Sequence, residues 1–412
     1  MPEAVYVIGV GRTDFKRNAK KEGIGIRELI VEAGRAAIES AGIKPGEITS
    51  GVVGNFASGR FTRQLHLGAL LTDIDPAVLG IPTMHVEAAC ASGAAAVSVA
   101  AQQVMGGLHN AVLVVGAEQQ KTMPPAEVGD VLASAGDYLQ ERSAYGEMTF
   151  PALFAYVAKL YANRYGLDER ALAAVAVKNR AHATLNPLAQ MRDLPLSMQE
   201  AMTAGENNPI IAAPLKKSDC SQITDGAAAV VVVSKALVDR LGRKNHAIRL
   251  EGLGQTTDHL AVAQKDAPVF AVASRAASAA YKMAGIGPGD LSGADLHDCF
   301  TISEIVAYEI VGLAKHGQGA KLAMSGGTAL PVVREKLGLE KPAKGIPVNP
   351  GGGLIGDGHP VGASGVRQVV EAFRQLTGDG GARQIDRPSK YLTFNMGGSL
   401  TTSVAMIWST IG

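Results

Sequence analysis

HVEAACASGAAAV, residues 85–97, is the stretch on which the reading of the fold turns: one cysteine, Cys90, stands where an extended segment passes into an Ala- and Gly-rich helix. Ala88, Ala89, Ala91, Ser92 and Gly93 are small enough for neighbouring backbone to come close. A helix start also brings unpaired N–H groups and a positive dipole end to the thiol. Such a position favours thiolate, with a cysteine pKa drawn from roughly 8.5 to between roughly 3.5 and 7.5, which makes a nucleophile at neutral pH. The alternative is a structural cysteine that fills space, since free cysteines are among the most buried residues.

Working outward, AVYVIGVGRTDF (4–15) reads as a buried strand, and IRELIVEAGRAAIESAG (26–42) as an amphipathic helix closed by glycine. AGIKPGEITSGVVGNF (41–56) follows as turn, short helical piece and strand. The Cys90 helix is expected to run through Met105, before NAVLVVGAEQ (110–119), a strand apolar enough to be central in a sheet. From about Lys121 to Asp219 the texture changes to Met, Pro, aromatic and charged residues, as in FPALFAYVAKLYANRYG (150–166), and predicts a helical excursion. SDCSQITDGAAAVVVVS (218–234) then feeds another fully buried strand and returns the chain to its sheet.

The second half repeats the first. AGIGPGDLSGADLHDCF (284–300) mirrors AGIKPGEITSGVVGNF, with Ala, Gly, Ile, Pro and Gly in the same places before a strand. GASG (362–365) opens the helix VRQVVEAFRQL as CASG (90–93) opens its own, and KYLTFNMGG (390–398) takes the place of NAVLVVGAE. Two matches in the same order imply a duplicated α/β unit with two halves related by a pseudo-twofold axis. In such a core the two ASG helices start near one another, and Cys90 faces the loop that carries His359.

Composition narrows the function classes. The 412 residues are 47% apolar and 19% charged, as expected of a soluble globular chain of two or three domains or one large duplicated core. A net charge of +1 gives no electrostatic case for nucleic acid or an anionic membrane surface. The three cysteines, Cys90, Cys220 and Cys299, form no CxxC pair, so neither a disulfide scaffold nor a structural zinc site is suggested, and a reducing cytoplasm fits best. The opening MPEAVYVIGV lacks the features of a secretory signal, no apolar run approaches the roughly 20 residues of a membrane span, and STIG is not a peroxisomal address.

His359 lies in PGGGLIGDGHPVGASG (350–365), where seven glycines and two prolines leave a loop shaped by backbone. An imidazole held there at a helix start is placed to take a proton from a thiol or to donate to an oxyanion. HDCF (297–300) ends one strand and begins the helix TISEIVAYEIVG (301–312). In an extended segment His297 and Cys299 share a face while Asp298 points into the scaffold. Two ligands do not make a metal site, so the segment reads as a second thiol and a hydrogen-bond donor delivered to one cavity. Cys220 reads as packing.

CASG at Cys90, TDGAAAVVV (224–232), HDCF and GGGLIGDGHPVGASG (351–365) together resemble the thiolase superfamily, in its order and across essentially the whole chain. The resemblance implies a five-layered αβαβα fold of two similar halves: residues 1–120 with 220–247, then 248–412, with an inserted coenzyme A-binding loop domain at 121–219. It implies homodimers or dimers of dimers. It implies Cys90 as the acylated nucleophile, His359 as its activator, and His297 as the oxyanion donor to the thioester enolate, where most thiolases have Asn. The backbone N–H groups of Cys90 and Gly397 match the second oxyanion hole, and Ser221 matches a serine that touches pantetheine. One departure stands out: ordinary thiolases carry a second cysteine in a C-terminal CxG motif, and this chain has Asn395, Met396 and Gly397 there. A cysteine within HDCF instead resembles sterol-carrier-protein-type thiolases and the archaeal and bacterial acetyl-CoA acetyltransferase group, with Cys299 as the acid/base at the α-carbon.

Three functions follow. The leading one is reversible Claisen chemistry on CoA thioesters, with acyl-CoA and CoA as substrates and no tightly bound cofactor. The second is acyl transfer to a carbon acceptor that is not a CoA ester. The third is a non-catalytic acyl-CoA-binding subunit in a complex with a small OB-fold protein and a hydroxymethylglutaryl-CoA synthase, as in some relatives.

Overall fold

A computed structural model describes residues 3–242, 246–340 and 345–411. Eleven strands follow in chain order: β1 (Val5–Arg12), β2 (Ser50–Gly54), β3 (Thr83–Val86), β4 (Ala111–Gln119), the short pair β5 (Ile210–Ala212) and β6 (Leu215–Lys216), β7 (Asp225–Ser234), β8 (Ile248–Thr257), β9 (Gly293–Leu296), β10 (Lys390–Gly397) and β11 (Thr402–Thr410). Nine of them form one sheet, ordered β3-β2-β4-β7-β1-β8-β11-β10-β9. Read from its centre outward, β1-β7-β4-β2 on one side matches β8-β11-β10-β9 on the other. Among the described residues, β1 and β8 meet at the centre through two register pairs, Tyr6 with Arg249 and Val7 with Ile248.

The repeated sequences become repeated structure. Helix Ile26–Ala41 ends on Gly42 at φ 63°, and helix Ala271–Ala284 ends on Gly285 at φ 66°, the left-handed cap that glycine adopts without a Cβ penalty. Each then runs through a 3-10 turn, Pro45–Glu47 or Pro288–Asp290, with proline pre-setting φ, into β2 or β9. Further on, helices Ser92–Met105 and Ser364–Thr377 each follow a 3-10 turn, Ala89–Ala91 or Val361–Ala363.

These last two helices form the central layer. Val97, Ala101 and Val104 of one and Val366, Val369 and Phe373 of the other share a core with Val114 and Val230 from the first half of the sheet and Val404 and Trp408 from the second. The outer face of the first half is covered by Leu29, Ile30 and Ala37 of helix Ile26–Ala41, and that of the second by Ala276, Ala277 and Ala280. Helices thus lie outside each half of the sheet and between them, α/β/α/β/α, the layering that the thiolase resemblance implies. Fully burying a Leu, Ile, Val or Phe is worth about 1.5–3 kcal/mol, so the apolar faces of the central pair hold both halves to one core.

The stretch from 121 to 219 is mainly helical, as expected, with long helices Thr149–Tyr165 and Glu169–Ala183, and it adds the β5–β6 hairpin that its sequence did not announce. No helix among the described residues is long and apolar enough to cross a membrane.

Candidate functional site

The site grows from the meeting of the two ASG motifs. A Cβ on Gly93 would lie 2.7 Å from Gly362 O, and one on Gly365 would overlap Ala94 N. The two helix starts therefore touch backbone to backbone, and only glycine fits at either contact. Cys90 sits one turn upstream, after Ala89 at φ 51°, a region non-glycine residues rarely occupy. Ser92 braces this bend: its Oγ accepts from Ala88 N at 2.9 Å and donates to Ala89 O at 2.6 Å.

His359 is fixed on three sides. Its N–H donates to Thr224 Oγ1 at 2.9 Å, and its carbonyl accepts from Gln120 Nε2 at 2.7 Å. Its Nδ1 lies 2.7 Å from Ser364 Oγ, whose one proton is donated to Pro360 O at 3.1 Å. Ser364 must then accept from Nδ1–H, which leaves Nε2 unprotonated as the ring's acceptor. Upstream, Asp357 is held bidentately by Arg12, Nη1 at 2.7 Å and Nη2 at 2.8 Å.

In HDCF the side chains part as the extended reading predicts. Asp298 turns away and accepts from Leu354 N at 2.6 Å and Asn179 Nδ2 at 2.6 Å, tying this segment to the start of the short helix Gly353–Asp357. His297 faces His359 edge-on, ring centroids 5.2 Å apart at 85°. Cys90 Sγ and one ring nitrogen of each histidine lie within 4.8 Å of one another. Cys299 is outside that tight group, its Sγ 3.5 Å from Ser303 Oγ, yet it lines the same cavity.

That cavity, about 390 Å³, is lined in part by Cys90, Cys299 and His359. Its walls are mostly apolar, from Val128, Leu132 and Phe150 of the excursion and Phe300 and Val361 of the second half, with Ser221 and Gln222 among its polar groups. Cys220, read from sequence as packing, lines it too, so all three thiols of the chain open on one space. The Gly398 N–H, one residue past Gly397, hydrogen-bonds the Cys90 sulfur. Lys265 holds the turn that follows, with Nζ donating to Ser399 O at 2.6 Å and to Thr401 Oγ1 at 2.8 Å.

Electrostatics overturn one expectation. The Cys90 thiol is not drawn toward thiolate: burial pushes its pKa up to about 12, with the Glu118 carboxylate adding to the rise. Removing water costs the charged form more than the turn's N–H groups return. Cys299 is raised by burial and by Cys90. Burial, then Arg367, takes His359 down to about 3, and burial with His359 and Arg367 takes His297 well below its ordinary value. At neutral pH the site thus holds two thiols and two neutral imidazoles, and Cys90 gives up its proton only as it reacts. Iodoacetamide alkylation of Cys90 is therefore expected to climb steadily from pH 6 to 9. A plateau reached near neutral pH would restore the thiolate.

Several residues of the site were not singled out from sequence. Ser364 was legible, five positions beyond His359 in HPVGAS. Glu118 was not: it is buried at the end of β4, accepts from Asn55 Nδ2 and from Phe56, Ala57 and Gly362 N–H, and burial lifts its pKa to about 7. Its partners come from two segments, residues 55–57 and the loop of Gly362, that only the fold brings to it.

Comparison with known proteins identifies the family. The family model described as "Thiolase, N-terminal domain" matches residues 5–236, and "Thiolase C-terminal domain-like" matches 254–410. The acetyl-CoA acetyltransferase of Methanothermobacter thermautotrophicus is 34% identical over 98% of this chain and 99% of its own length. Benzoylsuccinyl-CoA thiolase subunit BbsB of Thauera aromatica is 32% identical over 90% of this chain and 89% of its own. A solved structure titled "Ltp2-ChsH2(DUF35) aldolase" superposes with a TM-score of 0.81 at 22% identity, covering 99% of this chain and 98% of that one, a likeness of fold. With both family models matched end to end around one cysteine elbow and one Gly-rich histidine loop, this chain belongs to the thiolase superfamily.

Proposed function

We propose that this chain transfers an acyl group from a CoA thioester, through Cys90, onto a carbon acceptor, and that the acceptor need not be a second CoA ester. The observation that carries this reading is the composition of the tight cluster: one thiol with two imidazoles, Cys299 standing outside it. As Cys90 attacks the thioester carbonyl, its proton passes to His359 Nε2, while backbone N–H groups at Cys90 and Gly397–Gly398 hold the oxyanion. The carbon–sulfur bond to CoA breaks, and the departing thiolate takes the proton back from His359. His359 Nε2, free again, takes the C–H proton of the acceptor, whose carbanion, held as its enolate oxyanion by His297, attacks the acyl carbon; the Cys90 sulfur leaves and receives that proton from His359. The name of the acetyltransferase relative supports acyl transfer from CoA, and that of BbsB, a subunit, supports a protein partner.

In this reading 121–219 is the CoA-binding insertion between the halves 1–120 with 220–247 and 248–412, and Ser221 meets the pantetheine arm. The chain works as a homodimer or a dimer of dimers, and an OB-fold protein is the partner type to test.

A second reading, a Claisen thiolase with Cys299 as base, draws on Cys299 lining the same cavity near Cys90. Acetyl-CoA is expected to leave an acetyl adduct on Cys90 by mass spectrometry, and Cys299→Ala to keep it. CoA-dependent cleavage of acetoacetyl-CoA that vanishes in Cys299→Ala would replace the first reading with the second. A wild-type protein that never acquires an adduct would leave only the non-catalytic subunit. In either enzymatic reading His297→Ala is expected to lower kcat by about 10²–10³-fold, the cost of one oxyanion donor, while Cys90 is still acylated. Single-turnover kinetics separates those two steps.

A further inference from the structure

His297 is useful as an oxyanion donor only if a neutral ring carries its proton on the nitrogen that faces the reaction. One side chain governs that choice. Asn395 of β10 lies behind the ring, its Nδ2 2.8 Å from His297 Nδ1, with both residues buried. Its Oδ1 is buried with no hydrogen-bond partner.

The neighbours explain why the amide keeps this orientation. A Cβ on Gly365 would lie 2.6 Å from Asn395 Oδ1 and would overlap Ala94 N, so the oxygen sits between the first turns of helices Ser92–Met105 and Ser364–Thr377. Helix N-termini carry partial positive charge, which favours the carbonyl end of the amide there and sends the NH2 end to the histidine. An amide N–H can only donate, so Nδ1 must accept, and the ring proton is forced to Nε2. The titratable groups facing His297 are His359 from the Gly-rich loop, the Cys90 thiol, and Arg367 from the helix behind. None of them offers a carboxylate to make an imidazolium.

We propose that Asn395 is a positioning residue that locks His297 in its neutral Nε2–H tautomer and so arms it as the donor to the acceptor's oxyanion. The inference rests on the donor role given to His297 above. It also gives the residue standing in place of a C-terminal cysteine a task of its own.

The test inverts the rule at Nδ1. Asn395→Asp puts an acceptor there, so a neutral His297 must carry Nδ1–H and present a lone pair to the oxyanion. Its kcat is expected to fall by about 10²–10³-fold with KM little changed. Activity should recover as pH is lowered, because the imidazolium formed beside the new carboxylate donates from both nitrogens; the wild-type profile has no such rise. Asn395→Ala, which imposes neither tautomer, should fall between the two. The tautomer is read directly by 15N NMR of histidine-labelled protein, with His297 assigned by the signals lost in His297→Asn. Wild type should show Nε2–H, and Asn395→Asp Nδ1–H. A wild-type His297 protonated on Nδ1, or an Asn395→Asp variant with wild-type kcat and pH profile, overturns the proposal. The NMR readout needs no turnover, so a failure of the acyl-transfer reading is told apart from a failure of this one, and Asn395→Ala keeps the test open if the aspartate variant does not fold.

Discussion

Cys90→Ala is expected to abolish acylation by acetyl-CoA and to lower acyl transfer by on the order of 10⁴-fold or more, since a group that forms the covalent intermediate has no substitute when deleted. The fold should survive. The lost sulfur is bounded by Ala89 and Ala91, opens on a cavity rather than a sealed core, and is not one of the groups that join the two ASG helices. Intact-protein mass spectrometry and a thermal melt on the same sample separate the two quantities. Because Cys220 and Cys299 line the same cavity, the experiment has a sharp adverse outcome. An acyl adduct that persists in Cys90→Ala and maps to either of them would mean that the nucleophile has been misassigned.

The second large effect belongs to Arg367, which touches no part of the cavity. Its Nη1 lies 2.6 Å from Asp295 Oδ1 and its Nε 3.6 Å from Asp357 Oδ2. These aspartates stand two residues before His297 and His359, so one buried guanidinium anchors the segments that deliver both imidazoles. Arg367→Met would leave Asp295 with the Tyr391 hydroxyl at 2.8 Å as its remaining side-chain partner. Breaking a buried pair from one side costs about 3–5 kcal/mol, measurable by urea unfolding. The pH dependence has a definite sign. Burial already lifts Asp295 to about 6 against an unfolded value near 3.9, and loss of the cation lifts it further. Between about pH 4 and 6 both folded proteins hold the proton, so the variant's penalty should be flat there and grow as pH rises above about 6, where the wild type releases the proton and the variant still keeps it. A penalty independent of pH, or one below about 1 kcal/mol, would show that Asp295 is not held through this contact.

Much of this architecture was legible in the chain. The twin AGIKPGE and AGIGPGD segments carry their own instructions: a glycine that stops a helix, a proline that opens a 3-10 turn, and an apolar run that makes the next strand. CASG and GASG likewise fixed the pseudo-twofold relation, and with it the prospect that Cys90 and His359 meet. Alternation in HDCF sorted His297 and Cys299 from Asp298, because side-chain direction in extended backbone is a local property.

Sequence by itself thus determined the duplicated α/β core, the cysteine elbow and the histidine loop, since these follow from backbone preferences and apolar periodicity within short windows. Tertiary structure alone decided the chemical state of the site. Helix-start composition argued for a thiolate at Cys90, and burial made it a thiol. Asn395 and Arg367 acquired their partners, His297 and Asp295, across 98 and 72 residues of intervening chain. Desolvation and hydrogen-bond partnership are properties of what surrounds a group in space, and no local pattern encodes them.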